Sequence, residues 1–235
     1  MESKGRQLHA QAAKAREEER FTESLTFIDE ALFAYDVDND ALGFSEGIAC
    51  RSITLRVYAN LHASKRLLTL AKYEMMASVD LARQSEDTKT LALPLYNLAQ
   101  IREDLEEYKD AVHDYQEAVN AMEKDPPEAH NRSSVLANMK LHLATCEYKA
   151  GDKSALERAK QVLQELENAQ EPNKYNKDVW VSGAYMRLAD AIKTENPDEA
   201  RKYLEKAKEI IDSNPELTLR KKQWEKLSHA INYQL

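Results

Sequence analysis

The sequence predicts an all-α fold, a solenoid of about five antiparallel helix hairpins followed by a C-terminal capping helix. Three observations predict it. Apolar residues recur at helical spacing along most of the chain. Small residues return every 40 to 47 positions at equivalent places in that pattern. Glycine and proline number only five and six in 235 residues, which leaves collagen-like, low-complexity and loop-rich classes as poor fits.

The clearest hairpin runs from Leu95 to Val119. Leu95, Leu98, Ala99 and Arg102 fall on one stripe of a first helix, and Tyr108, Ala111, Tyr115 and Ala118 on one stripe of a second, with Glu106-Glu107 at the turn. The alanines have a physical role, since two helix backbones approach to about 8–10 Å only where the side chains at the crossing are short. The arrangement returns with Leu143, Ala144, Gly151-Asp152, Ala155 and Ala159, and again with Leu188, Ala189, Asn196-Pro197, Ala200, Leu204 and Ala207. Weaker copies lie upstream, around Tyr58, Ala59, Ala71, Met75 and Ser78, and around Ala12, Phe21, Ser24, Ile28 and Ala31. The second-helix small residues Ser24, Ala71, Ala111, Ala155 and Ala200 are 47, 40, 44 and 45 positions apart. Hairpins are therefore expected at about 2–37, 40–86, 88–125, 127–170 and 175–212, with the capping helix at 214–233, all within one domain of residues 1–235.

Local signals place the boundaries. Asn196-Pro197-Asp198-Glu199 combines an N-cap, a first-turn proline and two acids at the positive end of a helix, and Asp125-Pro126-Pro127-Glu128 predicts a second such start. Thr88 and Asp152 are further cap candidates. Pro94 lies within a stretch expected to be helical from about Thr88, so either it kinks that helix or the helix begins later. In the last segment Trp224, Leu227 and Ile231 share a stripe, with Lys221, Lys222, Glu225 and His229 outside it, the pattern of a helix covering the final apolar face of a solenoid. The bases Arg220, Lys221, Lys222 and Lys226 around Trp224 are read as part of that amphipathic cap rather than as an RNA or membrane contact. All four phenylalanines lie within the first 44 residues, which suggests a first hairpin packed with larger rings.

The balance of 33 basic against 41 acidic residues, a net charge of −8, argues against general binding to a nucleic-acid backbone. Most of the excess lies in residues 102–128, with ten acids and three bases, read as a solvated helix face in preference to a surface for a basic partner. No apolar run approaches the ~20 residues of a membrane-spanning helix. The N-terminus carries no apolar signal segment. Cys50 and Cys146, each among apolar and small residues, read as reduced core residues, with a disulfide the lesser alternative; a cytoplasmic location follows.

Catalytic fingerprints are missing. Gly43 and Gly47 are the closest glycine pair and do not form a phosphate loop. There is no HExxH, and Asp110-Ala111-Val112-His113 alone cannot build a di-iron site. None of His9, His62, His113, His130, His142 and His229 pair at the i, i+4 spacing of helical metal ligands. The sequence is thus read as non-enzymatic, without a metal or cofactor.

The hairpins resemble the tetratricopeptide repeat family, whose pattern is a bulky residue, then Leu-Gly or Leu-Ala, an aromatic, and later Ala, Phe or Tyr, and Ala. The likeness covers most of residues 5–212, with repeats longer than the family's usual length, as in its extended-repeat members. It implies a right-handed superhelix whose first helices line a concave groove, acting as a scaffold or adaptor for a peptide segment of a partner protein. With Leu98 inward, the groove register selects Asn97 and Gln100, then Arg56 and Asn60, Asn138 and His142, and Arg187 and Asp190. Asn and Gln can hold an extended backbone, and Arg can grip a carboxylate. The family's two-carboxylate clamp for chaperone tails does not map, because Arg6, Ala10, Val57, Leu93 and Asn97 stand at its positions. The alternative is a peptide-sensing regulatory module of a bacterial signalling system; such receptors usually carry an N-terminal output domain, whereas this sequence opens on the first hairpin. Self-association through a terminal face is a third reading.

Overall fold

The computed structural model describes residues 3–85 and 87–232, without the side chains of Thr88 and Asn232. Residues 2, 86 and 233, which bound three of the expected elements, lie outside the described residues, as does the Thr88 side chain expected to cap a helix. Among the described residues there is no strand, and the α-helices number eleven. They are α1 Lys4–Glu17, α2 Phe21–Val37, α3 Ala41–His62, α4 Lys65–Gln84, α5 Ala92–Asp104, α6 Tyr108–Lys124, α7 Ser133–Lys149, α8 Ala155–Asn168, α9 Lys174–Ile192, α10 Pro197–Ser213 and α11 Thr218–Asn232.

The chain divides into two compact units, residues 1–127 and 128–235. In the first, α1–α2, α3–α4 and α5–α6 are hairpins; α1, α3 and α5 lie side by side, and α2 and α4 each also pack on the first helix of the following hairpin. In the second, α7–α8 and α9–α10 are hairpins, α7 lies beside α9, and α11 packs on α9 and α10. Leu217 and Ile231 bracket α11 and are buried in the core of this unit. Trp224 and Leu227 pack against that core, and the Trp224 indole N–H donates to the Leu204 carbonyl at 2.9 Å. The Trp224 ring is thus seated on α10, with Lys208 of that helix 5.8 Å from its centre.

The small residues that set the repeat spacing are the crossing points. Ser24, Ala71, Ala111, Ala155 and Ala200 are all 0% exposed. At two crossings close approach brings a hydroxyl to the opposite backbone: Ser24 Oγ donates to the Ala12 carbonyl at 2.8 Å, and Ser52 Oγ to the Ala71 carbonyl at 2.7 Å. Gly43 and Gly47 have a packing role on α3. A β-carbon at Gly43 would lie 2.4 Å from the Tyr35 ring, and one at Gly5 on α1 would lie 2.6 Å from it, so the fully buried Tyr35 is gripped between two glycines.

Two boundaries differ from the sequence reading, and at a third, one of its two alternatives holds. Pro94 occupies the first turn of α5, where its missing N–H breaks no helical bond; the helix starts later rather than kinking, after a 3-10 turn at Thr88–Thr90. Asp125-Pro126-Pro127-Glu128 does not open an α-helix. Asp125 is the C-cap of α6, Glu128–His130 form one 3-10 turn, and α7 begins at Ser133. Asp152 accepts the Ser154 N–H at 3.0 Å one turn before α8, whose own N-cap is Ser154. By contrast, Asn196 caps α10 with Pro197 in its first turn.

Rings do pack at the first hairpin, with Tyr35 fully buried and Phe27 and Phe44 against the core, but Phe33 does not join them. That core is built from Leu8, Ala12, Ile28, Ala31, Tyr35 and Cys50, and Phe33 is 75% exposed. Phe33 lies on the side of α2 turned away from Ile28, Ala31 and Tyr35.

Candidate functional site

In the first unit, three of the sequence-selected side chains meet around a residue the sequence reading did not select. Arg56 Nε on α3 donates to Asp104 Oδ2 on α5 at 2.5 Å, Asn60 Nδ2 donates to the same oxygen at 2.7 Å, and Arg56 Nη1 donates to Gln100 Oε1. All four residues are half-buried. Asn97, one turn before Gln100 on α5, is also half-buried and is not among the donors and acceptors of this cluster. The Arg56 charge is thus matched within the fold, and a ligand carboxylate reaching it must compete with Asp104.

In the second unit, Asn138 and His142 lie one turn apart on α7, and Arg187 lies on α9; each is half-buried. Asp190 bridges the two helices, receiving Lys149 Nζ of α7 at 2.5 Å and Lys193 Nζ at 2.7 Å. Burial acts to raise the Asp190 carboxyl, and the two ammonium groups outweigh it, holding the carboxyl below its ordinary value. Near the end of the same helices, the Tyr148 hydroxyl donates to Glu195 at 2.6 Å, which raises the tyrosine.

The first helices α1 and α3 follow the same rule, with Arg6 paired to Glu46 and, at 3.5 Å, to Asp40. Arg6, one of the positions that would have served a chaperone-tail clamp, is therefore engaged. These contacts share a sequence signal that the reading of single motifs passed over. Arg6 and Glu46 are 40 residues apart, Arg56 and Gln100 44, Asn60 and Asp104 44, and Lys149 and Asp190 41. Complementary groups one repeat apart become neighbours when first helices lie side by side.

The acidic segment 102–128 is not simply a solvated face. Glu103 and Asp114 are buried inside the third hairpin, where Glu103 accepts the Tyr115 hydroxyl at 3.0 Å and Asp114 accepts Arg102 Nη1 at 2.7 Å. Asp104, Glu107 and Glu117 pair with Arg56, Lys72 and Arg83 of the preceding hairpin. Acids of one repeat therefore tie down bases of the one before it.

Among the described residues, no group of three or more His, Cys, Asp or Glu is placed to hold a metal ion. Cys50 and Cys146 are free thiols, both buried, and burial pushes the Cys50 thiol up. Among the described residues, no helix is long and apolar enough to cross a membrane.

No protein-family model and no curated protein sequence matches the chain. Solved structures do. A Podosopora anserina kinesin light chain protein of nearly identical TPR-like repeats superposes with a TM-score of 0.59 at 14% identity, over 91% of this chain and 99% of that one. BtubC (BKLC) from P. vanneervenii gives 0.60 at 16% identity, over 88% and 80%. A Rap protein complexed with competence and sporulation factor gives 0.60 at 14% identity, over 100% of this chain and 67% of that one. The fold is that of tetratricopeptide-like helical repeats. At these identities the likeness concerns the path of the backbone, and the tetratricopeptide-like repeats here carry their own inter-repeat polar contacts.

Proposed function

We propose that the chain is a non-enzymatic interaction module that docks a peptide segment of a partner protein along the polar face of its first helices. The observation that carries this reading is the meeting of Arg56, Asn60 and Gln100 from consecutive first helices around Asp104. It sets amide and guanidinium donors beside carboxylate and amide acceptors on one half-buried surface, the combination that recognises a peptide backbone irrespective of its side chains. In this reading, within the first unit Asn97 and Gln100 hold backbone groups and Arg56 receives an acidic side chain, and within the second Asn138 holds backbone groups and His142 and Arg187 receive acidic side chains. Because Asp104 already faces Arg56, acidic ligands must displace or share that contact, which favours a well-placed carboxylate over a diffuse acidic tail.

The partner is a protein, not a nucleic acid or a lipid surface, in keeping with the net charge of −8. The two buried free thiols are in keeping with a cytoplasmic location. Partners captured from the native cell by pull-down would supply the ligand. Each lost backbone hydrogen bond is worth about 0.5–1.5 kcal/mol, so Asn97→Ala combined with Asn138→Ala should weaken binding by roughly tenfold. Unchanged affinity in the double variant would remove both amides from ligand binding.

A second reading, a peptide-sensing regulatory module, is supported by the backbone likeness to the Rap protein complexed with competence and sporulation factor, which extends over 100% of this chain. Small-angle scattering with and without the captured segment separates the two readings. A sensor changes shape on binding, and a passive adaptor keeps the same scattering curve.

A further inference from the structure

Residues 21–50 contain seven acids and no Lys, Arg or His. The same stretch, α2 and the first half of α3, carries the most exposed large apolar side chains among the described residues, Val37 at 83% and Phe33 at 75%, with Leu42 nearby in sequence at 42%. Beside Phe33 is a groove of about 490 Å³ lined by Asp29, Leu32, Phe33, Asp36 and Phe44. This is a different surface from the polar face of α3 and α5. Four of the seven acids are matched by bases outside the stretch: Glu23 by Arg20, Asp29 by Arg51, and Asp40 and Glu46 by Arg6. Glu30, Asp36 and Asp38 are exposed and have no ion pair among the described residues.

We infer that this groove is a second docking site, for a short cationic amphipathic segment of another protein that seats a bulky aliphatic or aromatic anchor against Phe33 and Phe44. The charge decides the occupant. The apolar floor carries two rim carboxylates, Asp29 paired with Arg51 and Asp36 without an ion pair among the described residues, and Asp36, with the exposed Glu30 and Asp38 of the same stretch, attracts Lys and Arg flanking the anchor and repels acidic segments. The groove volume falls within the range of specific ligand pockets. A neutral apolar segment would leave Asp36 beside it without a counter-charge, and an acidic one would place like charges together.

The test uses the full chain and a fluorescein-labelled helical peptide of roughly 15 residues in a Leu/Lys amphipathic pattern. Two companion peptides serve as controls, one with Lys replaced by Glu and one with Leu replaced by Ser. Fluorescence anisotropy should show saturable binding of the Leu/Lys peptide alone. Phe33→Ala should weaken it by about tenfold or more, since a buried phenyl contact is lost, and Asp36→Lys should weaken it comparably. Because Phe33 is 75% exposed, Phe33→Ala should leave the thermal unfolding midpoint unchanged. The inference is overturned if the Leu/Lys peptide fails to bind, if the peptide with Ser in place of Leu or the one with Glu in place of Lys binds equally, or if Phe33→Ala leaves the affinity unaltered. It is also overturned if sedimentation shows a concentration-dependent dimer that Phe33→Ala dissolves, which would assign the groove to a second copy of the chain. Phe33 and Asp36 take no part in the Arg56–Asp104 cluster, so failure here leaves the first-helix reading standing, and the reverse holds.

Discussion

Single residues set the close tolerances of this chain. Gly43 faces a ring that cannot retreat, because Gly5 holds its other contact. Gly43→Ala gains helix propensity of about 1 kcal/mol but forces a carbon into the Tyr35 ring, so a net loss of about 1–2 kcal/mol is expected in a denaturant titration. Ala63 presents the opposite case. It terminates α3 in the left-handed region, at φ 53° and ψ 39°, where a β-carbon is unfavourable. Ala63→Gly should therefore stabilise the protein by about 0.5–1 kcal/mol in the same assay, part of the relief being offset by greater freedom of the unfolded chain. Asp114 adds a dependence on pH. Loss of solvation outweighs the attraction of Arg102, so its carboxyl is pushed up to about 6 from 3.8. The folded state thus binds the proton more tightly than the unfolded state. The stability this gives is complete below about 3.8 and is lost as pH rises through about 6. The stability of the wild type minus that of Asp114→Asn should accordingly decline across this interval, and a difference that grew with pH would show that the Arg102 pair dominates.

At the scale of elements, the hairpins depend on short side chains where two helices cross. Ala200 is 0% exposed at the crossing of α9 and α10. Ala200→Leu must separate the helices or strain both, at a cost of about 1–3 kcal/mol, whereas Ala77→Leu on the exposed side of α4 should stay within about 0.5 kcal/mol. Thermal melts of the two variants compare the positions directly. The side-by-side packing of first helices also explains why candidate site residues were only partly legible. The helical register located Arg56, Asn60, Gln100, Asn138, His142 and Arg187 on half-buried faces of first helices. It did not reveal Asp104 as the shared acceptor, because Asp104 lies in an acidic segment whose composition reads as solvent-facing, and its partners are 44 and 48 residues upstream. Phe33 was illegible for a related reason. A phenylalanine on a predicted helix suggests core, yet its position relative to Ile28, Ala31 and Tyr35 puts it outside.

At the scale of the molecule, each of the two units has an apolar core of its own. The core of the second draws on residues from Ala137 to Ile231, with α11 covering α9 and α10. Residues 128–235 expressed alone should consequently give a helical circular-dichroism spectrum and a cooperative melt. A fragment that is helical but melts without cooperativity would show that this core needs the first unit.

The sequence by itself determined the helices, their pairing into hairpins and the residues at each crossing, because these depend on local periodicity and on side-chain size, both of which are written along the chain. Helix starts were less secure wherever proline could serve either as a first-turn residue or as a break, as at Pro94 and Pro126-Pro127. Only the tertiary structure decided which charges meet, since ion pairs between repeats depend on how neighbouring first helices align, a distance of about 40 residues in sequence but one side chain in space. For the same reason it alone separated the buried Asp114 from the exposed Asp36: burial is a property of what packs against a residue, and in this chain the packing partners come from other helices.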